Sequence, residues 1–230
     1  MIRIWARRVT SFFALGVCLL GLCVDAAAKP KGKTKARATG AAYRAHVEKW
    51  HAAPEGAQAP ADAAGRPRLV LENINTGERV ELDASSDQGG FAPDALARAA
   101  TLLRDSGKNR EQAMDAALLD LLYRLQRHFD APCVRVISAY RAGGKSQHAR
   151  GRAADIVIPG VPDDKLAAVA RSLGGTGVGL YPRSGFVHVD VREHAHYWVD
   201  SSGPGAPERK RVRKKPTKRQ TSRASRPKKK

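Results

Sequence analysis

Ser146-Gln147-His148-Ala149-Arg150-Gly151-Arg152-Ala153-Ala154-Asp155, followed downstream by Phe186-Val187-His188-Val189-Asp190, carries the most specific chemistry in the chain. The two segments supply two imidazoles and a carboxylate at the spacing of metal ligands. Imidazole nitrogen and carboxylate oxygen are good zinc donors, and three protein ligands leave a fourth position for water, as hydrolytic sites require. Along an extended segment, Phe186, His188 and Asp190 fall on one face and Val187, Val189 and Val191 on the other. The valines belong to a core, so the opposite face presents an imidazole beside a carboxylate. Gly151 permits a sharp bend, which lets a loop carry His148 back over the start of the strand that bears Asp155. Each residue also has a plainer reading: an exposed loop histidine at 148, and at 155 a carboxylate satisfied by backbone donors.

Working outward, segments 68–74 and 78–82 flank Asn75-Thr76-Gly77, the pattern of a hairpin. Residues 93–105 read as a helix with Leu96, Ala99, Ala100 and Leu103 on one face. In 110–129, Met114, Leu118, Leu121, Leu122, Leu125 and Phe129 recur at three and four residues, an apolar helical stripe that Asn109 can cap. Met114 belongs to that core rather than to a metal. Further strands are predicted at 133–138, 154–158 and 185–191. A short helix at 164–173 is capped by Asp163 and ended by Gly174-Gly175, and a glycine-loosened strand follows at 177–181. Helices first and strands clustered later predict an α+β domain with a largely antiparallel sheet. Cys133, inside an apolar run, reads as a small buried hydrophobe rather than a nucleophile.

The formal charge of +19 is unevenly spread. Residues 70–200 hold 16 basic and 17 acidic side chains, whereas 201–230 hold 13 basic against one acid. A neutral body between basic ends argues against a domain built around a nucleic-acid groove. At the start, Arg3, Arg7 and Arg8 precede an apolar run over 12–24, and Ala26-Ala27-Ala28 supplies small residues for cleavage after Ala28. That is the layout of an export signal. The run is too short for a comfortable membrane span, so no transmembrane helix is expected in the mature chain; an uncleaved anchor is the plainer alternative. The expected organisation is a signal at 1–28, a flexible linker at 29–66 with a short helix near 43–50, a folded domain at 67–200, and a disordered basic tail at 201–230. The polycation 209–230 suits sequence-independent attraction to envelope polyanions. It contains no aromatic residue, so base stacking is not expected.

Four ordered motifs together resemble the murein endopeptidase branch of the D-alanyl-D-alanine metallopeptidases, a superfamily that includes the hedgehog domain. They are Ser138-Ala139-Tyr140-Arg141, the His148-to-Asp155 segment, Gly174-Gly175-x-Gly177-Val178-Gly179-x-Tyr181-Pro182, and Phe186-Val187-His188-Val189-Asp190. The resemblance runs from about Leu69 to Trp198. It implies a zinc ion held by His148, Asp155 and His188, and Arg141 in the cleft to polarise the scissile carbonyl or stabilise the oxyanion. The implied partner is peptidoglycan and the implied location the periplasm or the exterior. Relatives often place the general base just upstream of the last ligand, where this chain has only Ser184, Gly185, Phe186 and Val187. Asp190 is therefore the first candidate base, with His194 and His196 as alternatives. If His196 were the ligand, His188 would become the base or a group that supports a ligand from behind. The segment between Arg141 and His148 is shorter than in relatives, which bears on substrate choice. Tyr140 and Tyr181 either shape the cleft or pack. A D,D-carboxypeptidase, a non-catalytic zinc-containing wall-binding module and a polyanion-binding scaffold are the competing readings.

Overall fold

The computed structural model describes residues 40–204 and 206 and the backbone of 210–212. The expected signal at 1–28, the linker's first part at 29–39 and most of the basic tail lie outside the described residues. In chain order the elements are α1 (Gly40–His51), β1 (Leu69–Asn73), β2 (Arg79–Leu82), α2 (Pro93–Leu102), α3 (Ala116–His128), β3 (Val134–Ser138), β4 (Ala153–Val157), α4 (Asp163–Ser172), β5 (Thr176–Tyr181), β6 (Phe186–Val191), β7 (His196–Asp200) and β8 (Lys210–Val212). The strands form one sheet in the order β2-β1-β3-β4-β6-β5-β7-β8. The fold is α+β and the sheet is mixed: β1 runs parallel to β3, and β5 to β7, while the other neighbours are antiparallel. Parallel neighbours need long crossovers. The β1–β3 connection is long enough to carry α2 and α3.

The apolar stripe of α3 is the centre of the core. Leu118, Leu121, Leu122 and Leu125 are wholly buried, against Leu69 and Leu71 of β1 and Ile156 of β4 in the same cluster. The helix starts later than its periodicity predicts. Asp115, not Asn109, is the cap: its carboxylate accepts the Ala117 N–H at 3.0 Å. Asn109 instead sits in a tight turn with φ 48°. Met114 is buried in the loop before the helix, so its apolar character extended the pattern without extending the element. Asp163 is likewise the first residue of α4 rather than its cap, which is Pro162.

Residues 40–52, assigned to the linker on composition, are docked on the body. Tyr43 donates its hydroxyl to the Ser184 carbonyl at 2.7 Å. Arg135 Nη1 donates to the carbonyls of Trp50 and Ala52, each at 2.8 Å. Those are C-terminal carbonyls that a helix leaves without internal partners, and a cation is favoured there. The segment is held by the Tyr43 hydroxyl and by contacts to its last carbonyls, which composition does not reveal. Two short strands were also missed. Pairing with β5 makes β7 out of residues read as loop, and β8, inside the expected disordered tail, pairs with β7.

Cys133 is 2% exposed, and burial together with the neighbouring Glu72 charge pushes its thiol up to about 12. Since the thiolate is the reactive form, Cys133 is expected to resist a maleimide in the folded chain and to react in denaturant. Mass mapping of the labelled Cys133 peptide checks this; rapid native labelling would contradict the packing. Among the described residues no helix is long and apolar enough to cross a membrane.

Candidate metal centre

Two neighbouring strands and one turn build the site. In the β4–β6 register Asp155 stands opposite His188, and Ala153 opposite Asp190. Val187 and Val189 are wholly buried on the core side, as alternation predicts, and His188 and Asp190 lie on the other face. His148 opens a single 3-10 turn that ends at Gly151, whose φ of 68° turns the chain into β4. The bend expected of that glycine is present, and it swings His148 over Asp155.

Three donor atoms converge. His148 Nε2 and His188 Nδ1 are 3.1 Å apart, His188 Nδ1 and Asp155 Oδ1 2.9 Å, and His148 Nε2 and Asp155 Oδ1 3.4 Å. Ligands at roughly 2.0–2.1 Å from a tetrahedral ion stand about 3.3 Å from one another. The triangle therefore has the right size for such an ion. All three residues are buried, and they form a group able to hold a metal.

Each donor is fixed from behind by a different partner. His148 Nδ1–H donates to the Ala139 carbonyl at 2.6 Å, which leaves Nε2 bare and facing inward. His188 Nε2–H donates to Asp190 Oδ2 at 3.0 Å, which leaves Nδ1 inward. Arg141 Nη2 holds Asp155 Oδ2, and its Nε donates to Ser138 Oγ at 2.8 Å, so Asp155 Oδ1 is the oxygen turned toward the two imidazoles. Backing of this kind sets the tautomer and orientation of metal ligands. The charge pattern agrees. Burial alone would raise the Asp155 carboxyl, but hydrogen bonds and charge from His148 and His188 hold it far below the usual range. Burial alone would lower His188, yet Asp155 and Asp190 together raise it. Two carboxylates aimed at one buried imidazole favour a cation at this point.

Asp190 is placed less well as a base than the sequence suggested. It is wholly buried, Arg192 Nε donates to its Oδ1 at 2.5 Å, and Arg192 Nη2 and His188 Nε2 both reach its Oδ2. Although burial opposes it, His188 and Arg192 hold its carboxyl down to about 2. A carboxylate so acidic and fully engaged is a poor proton acceptor near neutral pH. Sequence reasoning missed Arg192; its place two residues beyond Asp190, just past the end of β6, was the available signal. His196 and His194 are exposed, and neither lines the cleft. The His196 ring lies against Trp198, centroids 5.4 Å apart, and it is Trp198 that reaches His188, at 5.1 Å.

The glycines of β5 explain how these groups fit. Gly177 lies opposite Asp190 and Gly179 opposite His188. A side chain at 177 would run into Asp190 and Arg192, and one at 179 would meet the Trp198 indole at 2.5 Å. The motif keeps β5 bare so that the Arg192–Asp190 pair and the tryptophan can lie across it. Tyr181 lies stacked on Phe186, centroids 4.5 Å apart, and its hydroxyl accepts from Trp198 Nε1 at 3.2 Å, forming an aromatic wall to the cleft. Tyr140, the other tyrosine weighed for that role, is buried and packs in the core.

Residues 61–197, which contain every one of these groups except Trp198, match the family described as peptidoglycan L,D-endopeptidase MepK. The chain belongs to that family. It is 34% identical over 148 residues to the peptidoglycan L,D-endopeptidase MepK of Escherichia coli K12, covering 57% of this chain and 81% of that protein. The probable peptidoglycan L,D-endopeptidase MepK of Haemophilus influenzae is 36% identical over 143 residues, 55% of this chain and 76% of its own. No solved structure matches. The murein endopeptidase resemblance carried by the four motifs therefore holds at the level of the family.

Proposed function

We propose that this chain is an exported zinc peptidase that hydrolyses peptide cross-links of peptidoglycan, with the bond preference named for its relatives, an L,D-endopeptidase. The observation that carries the reading is the convergence of His148 Nε2, Asp155 Oδ1 and His188 Nδ1 at tetrahedral spacing inside the family match. Two imidazoles and one carboxylate are a donor set that suits zinc, and all three residues line the cleft. Zinc held by these three residues would supply Lewis acidity for activating water and polarising a carbonyl.

The chain's own groups do the rest. The Ala139 carbonyl, Asp190 and Arg141 keep the three ligands aimed inward. Arg141 is half exposed and lines the cleft, where it opposes negative charge developing on the scissile carbonyl oxygen. Asp190 acts as the orienting partner of His188, backed by Arg192, rather than as base. Activity on peptidoglycan and the apolar run over 12–24 both favour envelope location, with residues 1–28 removed on export and 67–200 as the catalytic body. The basic tail adds salt-sensitive attraction to envelope polyanions.

Incubating the zinc-loaded chain with intact sacculi and with uncross-linked stem peptides tests the reading. Loss of cross-linked muropeptides, absent in His148→Ala, supports it. Release of terminal D-alanine would replace it with a carboxypeptidase, and binding without cleavage with a wall-binding module. Asp190→Asn is expected to lower activity and zinc affinity together by about 10–100-fold, whereas His196→Ala leaves both near wild type. The reverse order would return the histidine to the mechanism.

A further inference from the structure

The cleft over the metal centre, about 650 Å³, carries more positive charge than its ligands need. Its two carboxylates are each matched by an arginine: Asp155 by Arg141 and Asp190 by Arg192. Lys145 and Arg150 also line it. Both are exposed, and among the described residues neither side chain makes a hydrogen bond or ion pair. The contrast within this segment is informative. Arg152, two residues beyond Arg150, pairs with Asp115 at 2.9 Å. Lys108 donates to the Ala142 carbonyl at 2.5 Å. Of the four basic side chains that line the cleft, Arg141 and Arg192 have carboxylate partners; Lys145 and Arg150 do not. Both belong to the His148 segment, Lys145 in the loop before its turn and Arg150 at the turn's end. With a divalent ion at the centre the excess of positive charge would grow further.

We propose that Lys145 and Arg150 form an anion subsite that takes a free carboxylate of the peptide substrate beside the scissile bond. The inference rests on the peptidase reading above and names what that reading leaves open, the charge class of the substrate. Guanidinium and ammonium groups bind carboxylate through charge-assisted hydrogen bonds. The opposite wall is made of Tyr181, Phe186 and Trp198 and suits the uncharged part of the chain. A peptide lying between the walls has its acidic group turned toward residues 145–150 and its backbone across the metal centre. The subsite acts on binding and register rather than on the bond itself, so it governs KM more than kcat.

The test compares two synthetic cross-linked peptides, one with free carboxylates flanking the bond and one with those groups as carboxamides. Both are given to the zinc-loaded full chain and to a Lys145→Ala/Arg150→Ala double variant. For the wild type, amidation is expected to raise KM about tenfold or more. The double variant should show the same rise on the carboxylate peptide, with kcat little changed. It should no longer distinguish the two peptides, because the partner of the missing charge is gone. Equal KM values for wild type and variant on the carboxylate peptide would overturn the subsite. If neither peptide is cleaved, the peptidase reading fails instead, and fluorescence anisotropy with the same labelled peptides decides the subsite alone. Tighter wild-type binding of the carboxylate form, lost in the double variant, upholds it; equal binding overturns it. A preference that survives the double substitution also overturns it, assigning the recognition to Arg141 or the metal.

Discussion

Replacing Asp155 by asparagine is expected to abolish cross-link hydrolysis while leaving the chain folded. The carboxylate does two things at once: Oδ1 faces the two histidine donors and Oδ2 receives Arg141. Asparagine keeps the shape and removes the charge. A neutral amide oxygen is a far weaker zinc donor, and loss of the ion removes several kcal/mol of stabilisation of developing charge. At about 1.4 kcal/mol per decade, activity falls at least about a thousandfold. Folding is less affected. The core lies on the other face of β4, and Arg141 is 52% exposed, so water replaces its lost partner. The destabilisation is about 1–3 kcal/mol. Metal content is the decisive reading. Chelator should lower the wild-type melting temperature and leave that of the variant unmoved, because only a chain that binds the ion gains from it. In chelator the pH dependence has a definite sign. Asp155 is held below its unfolded-state pKa, so its carboxylate contributes stability at neutral pH that is lost as the pH falls through the acid range. The two melting curves should therefore converge in acid. A variant that kept full zinc and full activity would remove Asp155 from the centre.

The parts of this molecule that sequence predicts well are those with a short-range period. Valine alternation in β6 fixed the inward and outward faces, and with them the side on which His188 and Asp190 stand. The leucine stripe of α3 placed the core. Asn75-Thr76-Gly77 marked the hairpin, and the register Leu69↔Leu82 to Glu72↔Arg79 follows from it. The long-range features were not legible. Tyr197-Trp198-Val199 has the residue types of a strand, but the run is short, and its place between β5 and β8 is set by pairing with distant segments. Nothing in the polar segment around Tyr43 tells that Ser184 and Arg135 will hold it. Asp190 illustrates the limit within the site itself. Its position beside His188 was readable, but its chemistry depends on both oxygens being occupied, and that depends on Arg192 folding back across a bare Gly177. A carboxylate near a metal ligand is a base or an orienting group according to partners that spacing alone does not specify.

Gly151→Ala is expected to cost more stability than any comparable single-methyl change in the loop that carries His148. Two separate effects add at this position. The residue is left-handed, at φ 68°, which costs an alanine about 1–2 kcal/mol. An added Cβ also runs into the Ala113 carbonyl oxygen and comes within 3.4 Å of Met114 Cα, both backbone atoms that cannot swing aside. Overpacking of this kind costs about 1–3 kcal/mol more. The neighbours cannot easily shift, because Asp115 N donates to the Gly151 carbonyl at 2.9 Å and Asp115 is the cap of α3. The same glycine N–H closes the turn onto the His148 carbonyl at 3.2 Å, so displacing it moves His148. Gly144→Ala separates the two effects. Gly144 also has positive φ, 87°, but nothing lies within 4 Å of its added Cβ, so this variant carries the backbone strain alone. Gly151→Ala should melt well below Gly144→Ala, by several degrees at about 2–4 °C per kcal/mol for a domain of this size, and should lose zinc affinity while Gly144→Ala keeps it. Equal losses in the two variants would mean that the close approach to Ala113 contributes nothing, and that the His148 turn is held by backbone conformation alone.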